Sequence, residues 1–323
     1  MPARNNSNTL VTVFGGSGFL GRYVVRALAK TNFRIRVAVR RPELAGHLQP
    51  LGRVGQIHAV QANIRDPDSV AAATRDAALV INLVGILFER GRQSFEAVQA
   101  QGADTVARAA AQGHARLVHV SALGADLQSR SLYAQSKARA EAAVFAAVPH
   151  AIVLRPSVVF GPEDDFLNRF AALARLSPVL PLVGGGETRF QPVYVGDVAD
   201  AIAAAARGDA MPGAVYELGG PDVQTFRELM EFLLEVIGRK RLLVPIPFAI
   251  ADMKAAFLQL LPNPLLTRDQ VQLLRTDNIV SEAAKRDGRT LESFGISAHS
   301  MAVITPTYLW RFRRAGQFEK HAT

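Results

Sequence analysis

Two side chains with complementary chemistry stand four residues apart in the segment SLYAQSK, where Tyr133 and Lys137 form the pattern YxxxK. On a helix this spacing places both side chains on one face. A tyrosine with its ordinary pKa of about 10 is a poor base at neutral pH, but a neighbouring ammonium group favours the phenolate. Ser121 ends a predicted strand, where its hydroxyl can hold a substrate carbonyl oxygen. These three residues are the candidate catalytic set.

The pattern YxxxK is frequent by chance, and an exposed tyrosine beside an exposed lysine is the alternative interpretation. A glycine-rich turn near the start of the chain favours chemistry. The stretch FGGSGFLGR, residues 14–22, follows an apolar run typical of a strand and precedes an amphipathic helical pattern. Such a turn lets the backbone approach a pyrophosphate and presents a helix N terminus to the anion, so it predicts a dinucleotide site and not a simple glycine turn. The predicted cofactor-binding residues here are Gly15, Gly16, Ser17, Gly18, Phe19, Leu20 and Gly21.

The residues after the second predicted strand indicate which dinucleotide is preferred. A carboxylate in this place binds the ribose 2′-hydroxyl of NAD, whereas arginine accommodates the 2′-phosphate of NADP. Here Arg40 and Arg41 follow the strand, and no acidic residue lies between positions 37 and 42. NADP(H) is therefore favoured over NAD(H), with two solvated loop arginines as the alternative. The ends of the third and fourth strands add the predicted cofactor contacts Asn63, Ile64, Val84 and Gly85.

The order of apolar runs and alanine-rich helical patterns predicts an α/β protein with a doubly wound parallel sheet, the NAD(P)-binding Rossmann arrangement. We expect an NAD(P)-binding domain over residues 1–161, rejoined by about 190–220, and a smaller, mostly helical C-terminal lobe over 162–189 and 221–323 for a substrate or partner. Thr225 and Glu228 predict a capping box at the start of a helix over 225–237. Candidate strands cover 9–14, 33–39, 56–61, 78–84, 115–121 and 151–155; candidate helices cover 19–31, 66–76, 94–113 and 131–147.

The composition of the 323-residue chain narrows the functional classes. It contains no cysteine, which excludes disulfides, thiolate metal sites and a cysteine nucleophile. The seven histidines show no metal-binding spacing, so no metal site is predicted, and His119 is interpreted as a satisfied strand residue. The formal charge of +9 implies an acidic neighbour: a phosphorylated cofactor, an anionic lipid surface, an acidic protein or nucleic acid. Nucleic acid ranks low, because no compact basic run with interleaved aromatic residues is present.

No stretch approaches the length of about 18 uncharged apolar residues that spans a bilayer, and the first predicted strand begins within about ten residues of the N terminus. We therefore expect no membrane span, no targeting segment and a cytoplasmic protein. Residues 242–262 contain two charges among many aliphatic residues. We interpret them as a helix packed into the smaller lobe, within a helical tail that extends from the end of the 225–237 helix to Ala315. The alternative is an amphipathic element on a membrane or on a subunit with a quinone site, beside the basic residues 239–241 and Arg268.

The glycine turn, Ser121, the YAQSK segment and RPSVVFGP at 155–162 resemble the extended or atypical short-chain dehydrogenase/reductase superfamily. The resemblance is closer to its NDUFA9-like branch, named after the 39 kDa nucleotide-binding subunit of respiratory complex I. The segments that carry it are RPSVVFGPEDDFLNRFA (155–171), FQPVYVGDVADAI (190–202) and LTRDQVQLLRTDN (266–278). The resemblance implies a bound NADPH, contacts of Tyr133, Lys137 and Pro156 with it, association with complex I subunits, and a peripheral position on the cytoplasmic face of the inner membrane.

The sequence departs from the pattern of active dehydrogenases at one point. Many enzymes of the superfamily complete a proton relay with an asparagine in the helix after the fourth strand, whereas the predicted helix 94–113 contains Gln99 and Gln101 but no asparagine. The resemblance therefore favours an accessory or assembly subunit of complex I in which the nucleotide is structural. The alternative is an active NADPH-dependent reductase, epimerase or dehydratase for a sugar-nucleotide, quinone-related or isoprenoid-like substrate, which the intact serine, tyrosine and lysine set keeps open.

Overall fold

The protein is described by a computed structural model that covers residues 9–261 and 264–318. Its contacts divide the chain into two compact units. The first comprises the chain up to Pro156, Gly196–Leu218 and Glu282–Ile296; the second comprises Ser157–Val195, Gly219–Ser281 and the chain from Ser297 onward. Each unit is therefore assembled from separate segments of the sequence.

The secondary structure alternates strands and helices through the first unit and becomes more irregular in the second. The strands are β1 (Leu10–Phe14), β2 (Arg34–Val39), β3 (Ile57–Gln61), β4 (Leu79–Asn82), β5 (Arg116–Val120), β6 (Ile152–Pro156), β7 (Val159–Phe160), β8 (Val179–Val183), β9 (Arg189–Phe190), β10 (Val193–Tyr194), β11 (Val215–Leu218), β12 (Gln224–Thr225) and β13 (Leu242–Ile246). The α-helices are α1 (Phe19–Lys30), α2 (Pro67–Thr74), α3 (Gln101–Gln112), α4 (Leu132–Ala147), α5 (Phe166–Leu176), α6 (Val195–Arg207), α7 (Phe226–Val236), α8 (Phe248–Leu258), α9 (Arg268–Leu273), α10 (Glu282–Arg286), α11 (Met301–Ile304) and α12 (Pro306–Leu309). Turns of 3₁₀-helix cover Pro42–Leu51, Gly184–Gly186, Leu291–Phe294, Trp310–Phe312 and Gly316–Phe318, and a π-helical turn covers Glu96–Ala100.

The first unit is built on a seven-stranded sheet in the order β3-β2-β1-β4-β5-β6-β11, in which all neighbouring strands are parallel. The chain winds outward from β1 in one direction and then outward from β4 in the other. Between β1 and β4 the strand order therefore reverses, which is where ligands bind in open α/β sheets. The predicted doubly wound sheet is confirmed, and the predicted strands agree with the observed ones to within two residues at either end.

The helices that hold candidate site residues follow β4 and β5. Local hydrogen bonds determine where these helices begin. α4 begins where the Ser131 hydroxyl accepts a hydrogen bond from the backbone N–H of Ala134 at 3.2 Å. α3 begins directly after the π-helical turn, a widening that is frequent at functional sites. α6 starts with Asp197 in its first turn, where a carboxylate interacts favourably with the positive end of the helix.

The second unit packs α5, α7 and the C-terminal helices α11 and α12 around an apolar core. The predicted capping box on α7 is present, since the Thr225 hydroxyl and the Glu228 carboxylate each bind the other residue's backbone N–H. The expectation of a purely helical tail is wrong, because β13 pairs in parallel with β8. A short apolar run of this kind has no periodicity that separates a strand from a buried helix. The helical interpretation holds only further along, where α8 begins.

Candidate functional site

The glycine turn between β1 and α1 forms one wall of the site. Gly15 has a left-handed backbone with φ of 79°, and its carbonyl accepts the N–H of Gly18 at 3.1 Å. In the described chain no side chain caps α1 at Gly18, and the first turn carries no acidic residue. The positive end of the helix is therefore left to an anion, as a phosphate-binding turn requires.

Close packing requires two of the glycines, whereas the third, Gly18, has room for a side chain. A Cβ on Gly21 would lie 2.4 Å from the Gly15 carbonyl oxygen, so only glycine lets α1 approach the turn. A Cβ on Gly16 would lie 2.8 Å from a methyl group of Val37, which lies on β2. A Cβ on Gly18 would meet only the Gly15 carbonyl oxygen, at 3.4 Å. Gly16 thus lets the turn pack against β2, and Gly21 lets α1 pack against the turn. Gly18 leaves open space at this point.

A cleft of about 330 Å³ lies at the carboxyl ends of β1, β2, β3 and β4. The cleft fits a dinucleotide, because it lies at the reversal of strand order, has the glycine turn as one wall and contains the uncapped N terminus of α1. The lining includes most of the predicted cofactor residues: Gly15, Ser17, Gly18, Phe19, Leu20, Gly21, Arg40, Asn63, Ile64, Val84 and Gly85.

Several predicted residues lie outside this lining. Gly16 is buried beneath the turn, and Arg41 is exposed after β2. Pro156 is the last residue of β6, and its carbonyl accepts the backbone N–H of Leu123 at 3.0 Å. The roles of these residues toward a cofactor stay predictions.

The candidate catalytic residues lie at the ends of β5 and α4. Ser121 directly follows β5 and is buried, and its Oγ has no hydrogen-bond partner among the described residues. Lys137 is buried on α4; its Nζ donates to the carbonyl of Val120 at 3.2 Å and lies 5.8 Å from the centre of the Tyr133 ring. A Cβ on Gly85, which lines the cleft, would lie 3.4 Å from the same Nζ. The lysine thus connects the predicted catalytic tyrosine with the cleft.

Burial changes the protonation chemistry of this region. It lowers the pKa of Lys137 to about 8, although the attraction of the Glu141 carboxylate offsets part of the effect. The pKa of His119 is lowered to about 3, first by burial and then by the positive charge of Lys137, so the imidazole is neutral at pH 7. A lysine with a pKa near 8 can exchange protons at physiological pH, which is a property of groups at functional sites.

The interpretation of His119 as a satisfied strand residue is only half correct. The Asn82 side-chain oxygen accepts the backbone N–H of Val84 at 3.1 Å, so its amide nitrogen faces His119 Nδ1 at 3.3 Å as a donor. The neutral ring then carries its proton on Nε2, and this buried atom has no partner among the described residues. An unpaired buried N–H of this kind costs free energy unless water or a ligand satisfies it.

Gln99, and not Gln101, faces the site. Gln99 lies in the π-helical turn, is buried, and donates from Nε2 to the carbonyl of Ile86 at 3.2 Å. Its Oε1 has no partner in the described chain, and a Cβ on Gly85 would lie 3.9 Å from it. Gln101 is exposed at the start of α3. A neutral acceptor therefore lies near Gly85 in the turn that precedes α3, in the region where active enzymes of the superfamily have an asparagine.

The sequence analysis missed two polar residues that line the cleft, Arg65 and Gln93. Arg65 follows β3 at the same edge of the sheet at which Arg40 follows β2. Its position shortly after a predicted strand could therefore have identified it. Gln93 lies in the long connection after β4, and no local pattern marks it. It reaches the cleft because its side-chain oxygen accepts Arg40 Nη1 at 2.9 Å.

Comparisons with known proteins identify the family. The sequence profile of the NAD dependent epimerase/dehydratase family matches residues 11–219. The mitochondrial NADH dehydrogenase (ubiquinone) 1 alpha subcomplex subunit 9 of Arabidopsis thaliana is 38% identical over 96% of this chain and 79% of its own length. A ceramide reductase of Caulobacter vibrioides is 34% identical over 74% of this chain and 74% of its own length.

Solved structures share the fold. An NADPH-dependent quinone oxidoreductase from Escherichia coli, in complex with NADPH, superposes with a TM-score of 0.72 at 21% identity over 93% of this chain and 99% of that one. The chain thus belongs to the NAD dependent epimerase/dehydratase family, in the NDUFA9-like branch that its sequence segments indicate.

Replacing Lys137 by methionine measures the cost of its burial. Its pKa in the folded protein lies below the ordinary value of 10.5, so the unfolded state binds more protons between about pH 8 and 10.5 and stability rises with pH there. Methionine removes the buried charge, so we expect the free energy of unfolding at pH 7 to increase by up to about 3 kcal/mol in nucleotide-free protein.

Denaturant unfolding of both proteins at pH 7 and pH 10 makes this measurement, and the gain should shrink at the higher pH. Lys285→Met is the control, because that lysine is exposed. A Lys137→Met protein that is less stable at pH 7 would contradict the expectation.

Proposed function

We propose that the protein is an NADP(H)-binding accessory or assembly subunit associated with respiratory complex I, in which the nucleotide stabilises the fold. The observation that carries the proposal is the 38% identity to a complex I subunit over 96% of the chain, which includes the second unit as well as the nucleotide-binding unit. Two further relatives in the same class, from mouse and Neurospora crassa, are 32% and 29% identical over 95% of the chain.

The buried polar groups support a structural nucleotide. Ser121, Gln99 and His119 each hold a buried polar atom without a partner in the described chain, and Lys137 is buried with a lowered pKa. Groups of this kind destabilise an empty site. A ligand that binds only the native state stabilises it by mass action, so a nucleotide seated on the glycine turn is expected to raise the stability of the first unit.

The charge after β2 supports NADP(H) as the nucleotide. Arg40 and Arg41 are both exposed, and the contact that Arg40 makes is with a neutral amide oxygen. No described carboxylate forms an ion pair with either guanidinium. The positive charge is thus left to a 2′-phosphate, whereas the diol of NAD would gain little from it.

A second candidate function is an active NADPH-dependent reductase. It is favoured by the buried hydroxyl of Ser121, which has no described partner and directly follows Val120, whose carbonyl binds Lys137. The similarity to a ceramide reductase also favours it. In that case the nucleotide supplies hydride. Ser121 would hold the carbonyl oxygen, Tyr133 would donate the proton, and Lys137 would stabilise the resulting phenolate.

The second unit offers a face for peripheral attachment. α8 buries Ala251 and Ala255 and exposes large apolar side chains along its other side. Such an inverted distribution leaves an apolar surface that a partner or lipid covers. The α8 face consists of the exposed residues Ile250, Met253 and Phe257 of α8 and of Leu260 and Leu261, which follow the helix.

We propose an anionic bilayer as the surface that the α8 face contacts. Lys254 on α8 and the nearby-in-sequence Lys240 and Arg268 are exposed, and the whole chain carries a formal charge of +9. Apolar side chains flanked by cations are typical of interfacial helices on anionic lipid. Within the described residues no helix is long and apolar enough to cross a membrane.

The proposed NADP(H) preference is tested with Arg40→Ala and Arg41→Ala. Each charge-assisted contact contributes about 1.5–3 kcal/mol, so we expect the double variant to lose most of its preference for NADPH while it retains NADH affinity. Titration of both nucleotides by calorimetry makes the measurement. Arg34→Ala is the control, because Arg34 is exposed at the opposite end of β2. Equal affinity of the unmodified protein for NADPH and NADH would refute the preference.

Gly18→Val and Tyr133→Phe separate a structural subunit from an enzyme. A side chain at Gly18 enters the cleft without a severe clash in the protein, so we expect loss of nucleotide and a lower level of assembled complex I. Tyr133→Phe removes one hydroxyl worth about 0.5–1.5 kcal/mol and should leave the assembled level nearly unchanged. The measurement is complementation in the native host, with quantification of complex I and bound nucleotide. Loss of cellular function in Tyr133→Phe at normal protein and NADPH levels would favour the enzyme.

Membrane contact is tested by flotation with liposomes that contain anionic phospholipid. We expect binding at low ionic strength that weakens with salt, and at least about tenfold weaker binding in Phe257→Ser, because burial of a phenylalanine contributes about 1.5–3 kcal/mol. Leu127→Ser, also at an exposed apolar residue, is the control. If the protein does not float with the liposomes at low salt, the proposed lipid contact of the α8 face is refuted. If the α8 face binds only when complex I subunits are present, its partner is a protein.

A further inference from the structure

The connection after β4 forms a strap, residues 89–95, over the cleft. Arg90 and Gln93 exchange both backbone hydrogen bonds at 3.0 Å, around Gly91 with a left-handed φ of 56°. Glu89 Oε1 accepts the backbone N–H of Phe95 at 2.7 Å. The strap is therefore a closed turn of defined shape, and its side chains point from a fixed backbone.

Two hydrogen bonds join the strap to residues that follow β2 and β3. Arg40 Nη1, after β2, donates to Gln93 Oε1 at 2.9 Å, and Arg65 Nη1, after β3, donates to the Arg92 carbonyl at 2.8 Å. β1 lies between β4 and β2 in the sheet. A segment that leaves β4 and bonds to the residues after β2 and β3 must pass the end of β1, where the glycine turn begins.

Both anchoring arginines bond to neutral oxygens. A guanidinium has five N–H donors, and a bond from one of them to an amide or carbonyl oxygen orients the group without neutralising its charge. Arg40, Arg65 and Gln93 all line the cleft, and no described carboxylate pairs with either arginine. The remaining donors of Arg40 are thus held ready for an anion with several acceptor oxygens.

We propose that Gln93 is a specificity-determining residue that holds Arg40 in position for the 2′-phosphate of NADP(H), with Arg65 as a further cation of the same site. The inference rests on the proposed binding of NADP(H). The side chain of Gln93 is the part that matters, because a carboxylate of the same shape would pair with Arg40 and repel the phosphate. A glutamine in this place therefore selects the phosphorylated nucleotide.

The test compares dissociation constants of NADPH and NADH in the unmodified protein, Gln93→Glu, Gln93→Ala and Arg40→Ala. We expect Gln93→Glu to weaken NADPH binding at least about tenfold, because a charge-assisted phosphate contact is lost. The dissociation constant of NADH, which has no 2′-phosphate, should change by less than about twofold. Gln93→Ala should weaken NADPH binding a fewfold, because Arg40 keeps its charge but loses its orientation. Gln101→Glu, the same substitution at an exposed glutamine, should change neither constant.

The outcomes distinguish this inference from the proposed cofactor preference. Equal affinity of the unmodified protein for both nucleotides overturns both. A preference for NADPH that Arg40→Ala abolishes and Gln93→Glu leaves intact overturns the role of Gln93 alone. Gln93 is only half-buried, so both variants are expected to fold, and a thermal unfolding curve without nucleotide verifies this. If Gln93→Glu does not fold, an unchanged NADPH affinity of Gln93→Ala also overturns the inference.

Discussion

The nucleotide-binding unit depends on one close backbone contact, between α1 and the turn that precedes it. The hypothetical Cβ of Gly21 falls 2.4 Å from the Gly15 carbonyl oxygen, so the helix can start at this distance only without a side chain. That approach brings the N terminus of α1 to the end of β1, at the reversal of strand order in the sheet. The cleft, its positive helix end and its glycine wall all follow from this contact.

Polar groups near the ends of β4 and β5 are buried without full hydrogen bonding. Asn82 and His119 form a buried pair in which His119 Nε2 has no described partner, and Ser121 Oγ and Gln99 Oε1 have none either. The arrangement serves an enzyme and a structural subunit equally well. An enzyme uses these groups to move a proton, and a structural subunit uses the nucleotide to satisfy them and gains stability.

The two units contribute different evidence about function. The family profile ends at residue 219, so it describes mainly the nucleotide-binding fold. The similarity to complex I subunits extends over 96% of the chain, and it therefore includes the segment with β13 and α8. On α8 the small residues are buried and the large apolar ones are exposed, which is the reverse of an ordinary surface helix. The proposed nucleotide binding therefore rests on the first unit, and the proposed peripheral attachment rests on the second.

The sequence by itself determined most elements of the first unit and the capping of α7. Buried parallel strands are continuous apolar runs, caps are local, and the spacing of glycines follows from backbone contacts within a few residues, so β1 to β6, the α7 capping box and the phosphate-binding turn were all predictable. The tertiary structure decided what depends on distant contacts. It paired β13 with β8, turned Gln99 and not Gln101 toward Gly85, left His119 half satisfied, and brought Gln93 of the strap to Arg40 across 53 positions of sequence. Local patterns carry no information about such encounters, because they arise from the packing of whole elements and not from the preferences of neighbouring residues.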